Sequence, residues 1–211
     1  MKICYVTTSF IRSPTDYYSY FIFEQALGAV QSHPGLDVTV IAPHAPGYRL
    51  NEEIDGIHVR RFPYFFPLKF QKVAYQTDGL VKTVKRSALA MLSFPLFLAN
   101  MVFYVFWYSR KASMIHAQWI PTAFLSLPAK WIWGVPIAVS ARGSDLHSLR
   151  NSSERTKKFF KFFLNRLDVI FTVSKDFEKA FKEELKVNVP VHPLFNGVDD
   201  SFFKKPIRRR Q

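Results

Sequence analysis

Short apolar runs closed by polar or turn residues recur along this chain and alternate with stretches of helical spacing. Lys2–Val6 is the first such run, and it stops at Thr7-Thr8-Ser9, as a strand buried on both faces does. From Tyr20 to Val30 the spacing turns helical, with Phe21, Gln25-Ala26 and Ala29-Val30 on one face, and His33-Pro34-Gly35 stops it. Residues 36–42 predict a second strand closed by Pro43. A loop is expected over 43–55, then a strand over 56–62 whose alternation, with Arg60 and Arg61, suggests one wetter face. Further strands are predicted at 113–117, 136–140, 168–173 and 187–194. Helices are predicted at 122–133, framed by Pro121 and Gly134 with a kink at Pro128, from the Asn151-Ser152-Ser153-Glu154 cap to about Arg166, and at 175–185. The apolar face of the second of these is Phe159, Phe160, Phe163, Leu164 and Leu167. Strand and helix thus alternate from end to end. The fold class this implies is α/β, a single doubly wound, Rossmann-like domain with a mainly parallel sheet, spanning residues 1–200.

Residues 87–109 stand apart, because they contain no charged residue. The run is long enough for a membrane span. Strands on either side that belong to one sheet argue against that. Two other readings stay open: a fully buried crossover helix pair kinked at Pro95, or a helix pair that is core on one side and touches a membrane interface on the other. Flanking cations at Lys82, Lys85, Arg86, Arg110 and Lys111 favour the last, with an anionic surface as the partner.

Composition sharpens this picture. The 211 residues are 48% hydrophobic and include 22 Phe, enough for a substantial core and for aromatic surface besides. The net charge of +13 is unevenly placed, at −3 over 1–59, +8 over 60–111 and +7 over 147–211. Such blocks suit an anionic membrane or anionic substrate. A nucleic-acid partner is disfavoured, since the cations track an apolar segment and the tail rather than a recognition motif. The single cysteine, Cys4, lies inside the first strand as a small buried hydrophobe. It can form no intramolecular disulfide, which fits a reducing compartment.

The chemistry-bearing residues gather at predicted strand ends, where open α/β sheets bind ligands. Ser140-Ala141-Arg142-Gly143-Ser144-Asp145 follows an apolar run. Arg142 offers a fork of donors to phosphate, carboxylate or sugar oxygens, Gly143 permits close approach, and Asp145 either binds hydroxyls or holds Arg142. His116 ends another strand, as a satisfied polar group or as part of the cleft. Ser174 opens a helix, as a cap or as a phosphate contact. Asn196-Gly197-Val198-Asp199 reads alone as a turn. No G-x-G-x-x-G, Walker loop, G-x-S-x-G elbow or Cys/His ligand spacing is present. Dinucleotide oxidoreductase, α/β-hydrolase and structural-zinc readings therefore lose ground, and no metal is expected.

Taken in order, 115–119, 139–145, 168–175 and 195–199 with Phe202-Phe203 resemble the N-terminal domain of family-4-type glycosyltransferases of the GT-B fold. The resemblance covers essentially the whole chain. It implies the acceptor-binding half of a retaining enzyme that moves a sugar from a nucleotide-sugar donor to a glycan or lipid-linked acceptor, as in cell-envelope polysaccharide synthesis. It implies no cofactor beyond that donor, which a C-terminal domain would bind, in cis or as a separate chain. On this reading Arg142, Gly143, Asp145, His116 and Ser174 contact substrate or line the cleft, and Asn196, Gly197 and Asp199 form an interdomain hinge. Residues 201–211 would be a basic tail or the start of that second domain. Two departures are visible. The loop Ile11–Tyr17 lacks the glycine pair of many relatives, and Arg142 stands where many carry His. The alternative is a non-catalytic Rossmann-like module docking on a partner chain or an anionic membrane.

Overall fold

In a computed structural model the described residues are 1–13, 16, 19–76 and 80–197, with backbone alone described at 81, 144–146 and 148. Asp199 and the 201–211 segment lie outside them. The strands are β1 (Lys2–Val6), β2 (Asp37–Pro43), β3 (Asn51–Ile54), β4 (Ile57–Phe62), β5 (Met114–Ala117), β6 (Ile137–Ala141), β7 (Val169–Thr172) and β8 (Val191–Pro193). They form one sheet in the order β3-β4-β2-β1-β5-β6-β7-β8. All neighbours are parallel except β3 and β4. The expected doubly wound sheet is therefore present. Its order reverses at β1, which pairs with β2 on one side and β5 on the other, and that reversal opens a crevice at the strands' carboxyl ends.

The helices are α1 (Tyr20–Ser32), α2 (Leu80–Arg86), α3 (Ala88–Ser109), α4 (Ile120–Trp133), α5 (Gly143–Arg150), α6 (Glu154–Leu164) and α7 (Lys175–Lys179), which continues as a π-helical turn over Ala180–Glu184. Helix α1 covers one sheet face, where Ile22, Phe23 and Ala26 join Ile3, Tyr5, Val38 and Val40. The other face carries α3, α4 and α6, whose Phe97, Met101, Ala123, Leu127 and Leu164 share one buried cluster with Cys4, Ile115 and Val139.

Residues 87–109 are a single helix running through Pro95, not a helix pair. The carbonyl that Pro95 leaves without its usual donor belongs to Met91, a solvent-exposed residue, so water can take that bond. Nor is the helix fully buried. Ala90, Phe97, Met101 and Val105 form a stripe at mostly four-residue spacing that packs inward. Each of its large side chains contributes about 2 kcal/mol of burial. Met91, Leu92, Leu96, Phe103 and Trp107 remain exposed on the outer side.

Two other expectations need correction. The loop over 43–55 contains β3, which turns back on β4 through Asp55 and Gly56, both at positive φ, the conformation of a tight hairpin turn. Helix α5 starts within the stretch read as a loop around Gly143. Elsewhere the local chemistry is as expected. Gly134 ends α4 in the left-handed region, and Ser153 caps α6 by accepting from the Thr156 amide.

Candidate functional site

Two strand ends form the floor of the crevice. The Gln118 amide donates to the Val6 carbonyl at 2.9 Å and the Thr7 amide to Ile41, which carries the sheet one step past β5 and β1. Thr7 Oγ1 then folds back to donate to the Ser9 carbonyl at 2.8 Å, and the Ser9 and Ser19 hydroxyls hydrogen-bond to each other. Above them lies a cavity of about 340 Å³ lined by Thr8, Ser9, Ser19, Phe21, Tyr75 and Trp119, among others. A neighbouring cavity of about 320 Å³ shares the Ala74–Gln76 wall and adds Arg12, Lys69 and Lys72.

That wall is held by a buried charge. Arg61 donates from Nε and Nη2 to Glu52 Oε1 at 2.9 and 2.7 Å, from Nη2 to the Ile11 carbonyl at 2.6 Å, and from Nη1 to the Tyr75 hydroxyl at 3.1 Å. A guanidinium out of water is tolerable because it is paired with a carboxylate and hydrogen-bonded on three nitrogens. Tyr75 passes its own proton to the Pro43 carbonyl at 3.0 Å, and burial pushes its phenol up to about 12, partly opposed by Arg61. The glycine-free loop after β1 is closed instead by Arg12, whose Nε donates to Asp16 at 2.6 Å and whose guanidinium lies over the Tyr75 ring at 4.9 Å.

Arg142 lines neither cavity but stacks on Phe21, which lines the first. It is nearly buried. Its Nη1 donates to Asn196 Oδ1 at 2.6 Å, and its Nη2 to Gln118 Oε1 at 2.5 Å and Gln25 Oε1 at 3.4 Å. Its guanidinium carbon sits 4.4 Å from the Phe21 ring centroid, a cation–π distance. Arg142 thus joins α1, the end of β5 and the segment after β8. Among the described residues the buried Gln118 Nε2 and Trp119 Nε1 have no hydrogen-bond partner. Two such donors in one dipeptide at a cleft mark where an acceptor atom would be received.

The other candidates fall in different places. His116 lies behind the cavities. Its Nε2 is hydrogen-bonded to Ser140 Oγ at 2.9 Å, and its ring packs between Tyr5 and Phe171. Burial, with Arg142 second, lowers its pKa to about 4, so it is neutral at neutral pH. Ser174 is an N-cap, accepting from the Phe177 amide at 3.2 Å. Gly143 packs on Phe177, whose ring carbons would lie 3.4 Å from an added Cβ. Asp145 has its backbone in the first turn of α5, and its side chain is outside the description. Asn196 is bonded to Arg142, Gly197 follows it in open space, and Asp199 is not described. Lys82, Lys85 and Arg86 lie on α2 before the apolar helix, with Arg110 and Lys111 just after it. Among the described residues no group of three or more His, Cys, Asp or Glu could hold a metal ion.

Sequence reasoning missed Gln25, Phe21, Tyr75 and Gln118 as site residues. Gln118 and Trp119 directly follow His116, so their place at a strand end was the available signal.

Similar folds occur in solved structures. Sucrose-phosphate synthase from Thermosynechococcus elongatus superposes with a TM-score of 0.63 at 13% identity, covering 94% of this chain and 48% of that one. A shorter form of the same enzyme gives 0.58 at 14% identity, covering 94% and 91%. Anabaena Alr3699/HepE in complex with UDP-glucose gives 0.57 at 16% identity, covering 94% and 44%. The chain thus spans about half the length of the longer structures. At these identities the likeness shows the fold alone, a Rossmann-like domain of the GT-B type. Among curated proteins no sequence matches. The pattern of Glycosyltransferase Family 4, however, matches residues 25–202, from mid-α1 past β8, and so takes in Arg142 and every described partner of its fork. The chain belongs to Glycosyltransferase Family 4.

Proposed function

We propose that this chain is the acceptor-side half of a retaining glycosyltransferase that uses a nucleotide sugar and glycosylates a glycan or a lipid-linked sugar. The donor would be bound mainly by a domain outside this chain, in cis or as a second polypeptide. The observation that carries the reading is the cleft at the β1–β5 reversal. Beside it Arg142 is fixed by Gln118 and Asn196, and two buried donors have no partner among the described residues. Neutral N–H donors beside a planar guanidinium suit hydroxyl-rich or phosphorylated ligands. Ser9, Ser19 and Trp119 give the cavity next to this group hydroxyls and an aromatic surface. The donor is a co-substrate, and the reading calls for no other cofactor.

The same reading places the domain on an anionic membrane from the cytoplasmic side. Helix α3 supports it by presenting Met91, Leu92, Leu96, Phe103 and Trp107 to solvent, with Lys82 and Lys85 before it and Arg110 4.0 Å from the Trp107 ring centroid after it. Such an arrangement suits a lipid interface.

The test is a pair of assays on the purified 211-residue chain. Saturation-transfer NMR should detect binding of a sugar acceptor, lost in Arg142→Ala, while incubation with UDP-sugars should give no transfer. Turnover by the chain alone would overturn the half-site assignment, and acceptor binding indifferent to Arg142 would overturn the placement of the site.

A further inference from the structure

Helix α6 carries an outward stripe that its role in the core does not explain. Arg155, Phe159 and Phe162 follow one another at intervals of four and three residues, which puts them on one side of the helix, and Arg166 stands in the turn just after it. The inward side is a different set: Phe160 and Phe163 pack on Phe124 of α4, with centroids 5.4 and 5.2 Å apart, and Leu164 is buried. Phe159 and Phe162 are left 57% and 53% exposed. Arg166 stands over the Phe162 ring at 3.4 Å from its centroid, and Arg155 and Lys158 are exposed beside the pair. The segment 153–166 carries Arg155, Lys157, Lys158, Lys161 and Arg166 against the single acid Glu154.

This stripe has neighbours. At the far end of α4, Trp131 and Ile132 are 59% and 64% exposed, and Trp133 donates from Nε1 to the Phe106 carbonyl of α3 at 3.0 Å. Helix α4 therefore touches α3 on one side and α6 on the other, within one layer on one face of the sheet. Exposed large apolar residues thus occur on all three helices of that layer. Such residues on neighbouring helices mark an interaction surface.

We infer that α6 and the tip of α4 form a second lipid-contact element, separate in sequence from the α2–α3 segment, and that the whole α3–α4–α6 layer lies on an anionic bilayer. The occupant is argued from charge. The aromatic pair on α6 is bracketed by guanidinium groups with no acid among the stripe residues, which matches an acidic headgroup layer over an apolar interior. The inference rests on the membrane reading of the preceding subsection but makes a separable demand on α6.

The experiment is flotation of the full chain with vesicles of pure phosphatidylcholine and of phosphatidylcholine with 30% phosphatidylglycerol (roughly a strongly anionic surface). Expected is binding to the anionic vesicles only, weakened about tenfold in Phe159→Ser/Phe162→Ser and about fivefold for each charge removed in Arg155→Gln and Lys158→Gln. The charge variants alter no core contact, so they keep the test valid if the aromatic variant folds poorly. Brominated lipid should quench the fluorescence that Trp131→Phe removes. Loss of binding in Lys82→Gln/Lys85→Gln with α6 variants unaffected would overturn this inference and leave the α2–α3 contact standing. No anionic binding by the parent chain would overturn both. Self-association of the parent chain that the α6 variants abolish, without vesicle binding, would assign the stripe to a protein interface and overturn the lipid assignment.

Discussion

At the scale of single residues, His116 ties stability to pH. Its folded pKa of about 4 lies below the ordinary imidazole value of 6.5, so the unfolded chain binds more protons between those two pH values. Stability should therefore be full above pH 6.5 and fall as pH drops toward 4, by about 3 kcal/mol once both states are protonated. His116→Gln should flatten that acid limb in urea melts taken across pH 4 to 7. Trp119 gives a prediction of opposite character. Trp119→Phe deletes an unpartnered buried donor while keeping an aromatic ring, so chemical melts should show no loss, or a gain of up to about 1 kcal/mol. Acceptor affinity, if the N–H receives a ligand oxygen, should fall. Arg142→Lys retains a charge but loses the fork that reaches Gln118 and Asn196 together. It should cost about 2 kcal/mol in the same melts. These partners were not legible in the sequence. Arg142 stood out as a basic head at a strand end, but Gln25, Gln118 and Asn196 are 117, 24 and 54 positions away, and spacing along a chain does not pair amides across a sheet.

At the scale of elements, legibility followed burial. β1, β2, β5, β6 and β7 are apolar runs because they lie inside a parallel sheet, and their period could be read directly. β3 could not be read that way, since it contains Glu52 and Glu53 and sits at an edge. Its place is fixed by the turn at Asp55-Gly56 and by Glu52 meeting the buried Arg61. The Asp-Gly pair was the missed signal. Gly56 is at φ +78°, so Gly56→Val should strain the hairpin by about 1–2 kcal/mol, and hydrogen exchange should report it as faster opening of β3 and β4 amides ahead of the central strands. Helix α5 was missed because Gly143, Ser144 and Asp145 serve loops and helix starts alike. Helix α3 was read correctly as helical and apolar, but whether it was buried could not be read. A stripe at four-residue spacing hides in a segment that is apolar all round, and only the inward Phe97, Met101 and Val105 reveal which side the core took.

At the scale of the molecule, the two proposed activities fall on different surfaces. The cavities open at the carboxyl ends of the strands, while α3, α4 and α6, which cover one sheet face, carry exposed apolar residues such as Phe103, Trp131 and Phe159. Raised salt should therefore weaken vesicle binding, because its electrostatic part is screened, and leave the affinity for a neutral sugar acceptor nearly unchanged. Measuring both in one salt titration would separate the two surfaces.

The bond between Arg142 and Asn196 carries one more consequence. Nη1 of Arg142 is engaged by a residue beyond the last strand, so a ligand oxygen that claimed the same N–H would have to displace the Asn196 side-chain carbonyl. Occupancy of the cleft and release of the segment after β8 would then be two sides of one exchange equilibrium. By reciprocity, whatever draws residue 196 away must raise the affinity of the cleft by the same factor that occupancy loosens residue 196. The polypeptide leaving the domain would act as a built-in competitor, and its strength could be tuned at one side chain.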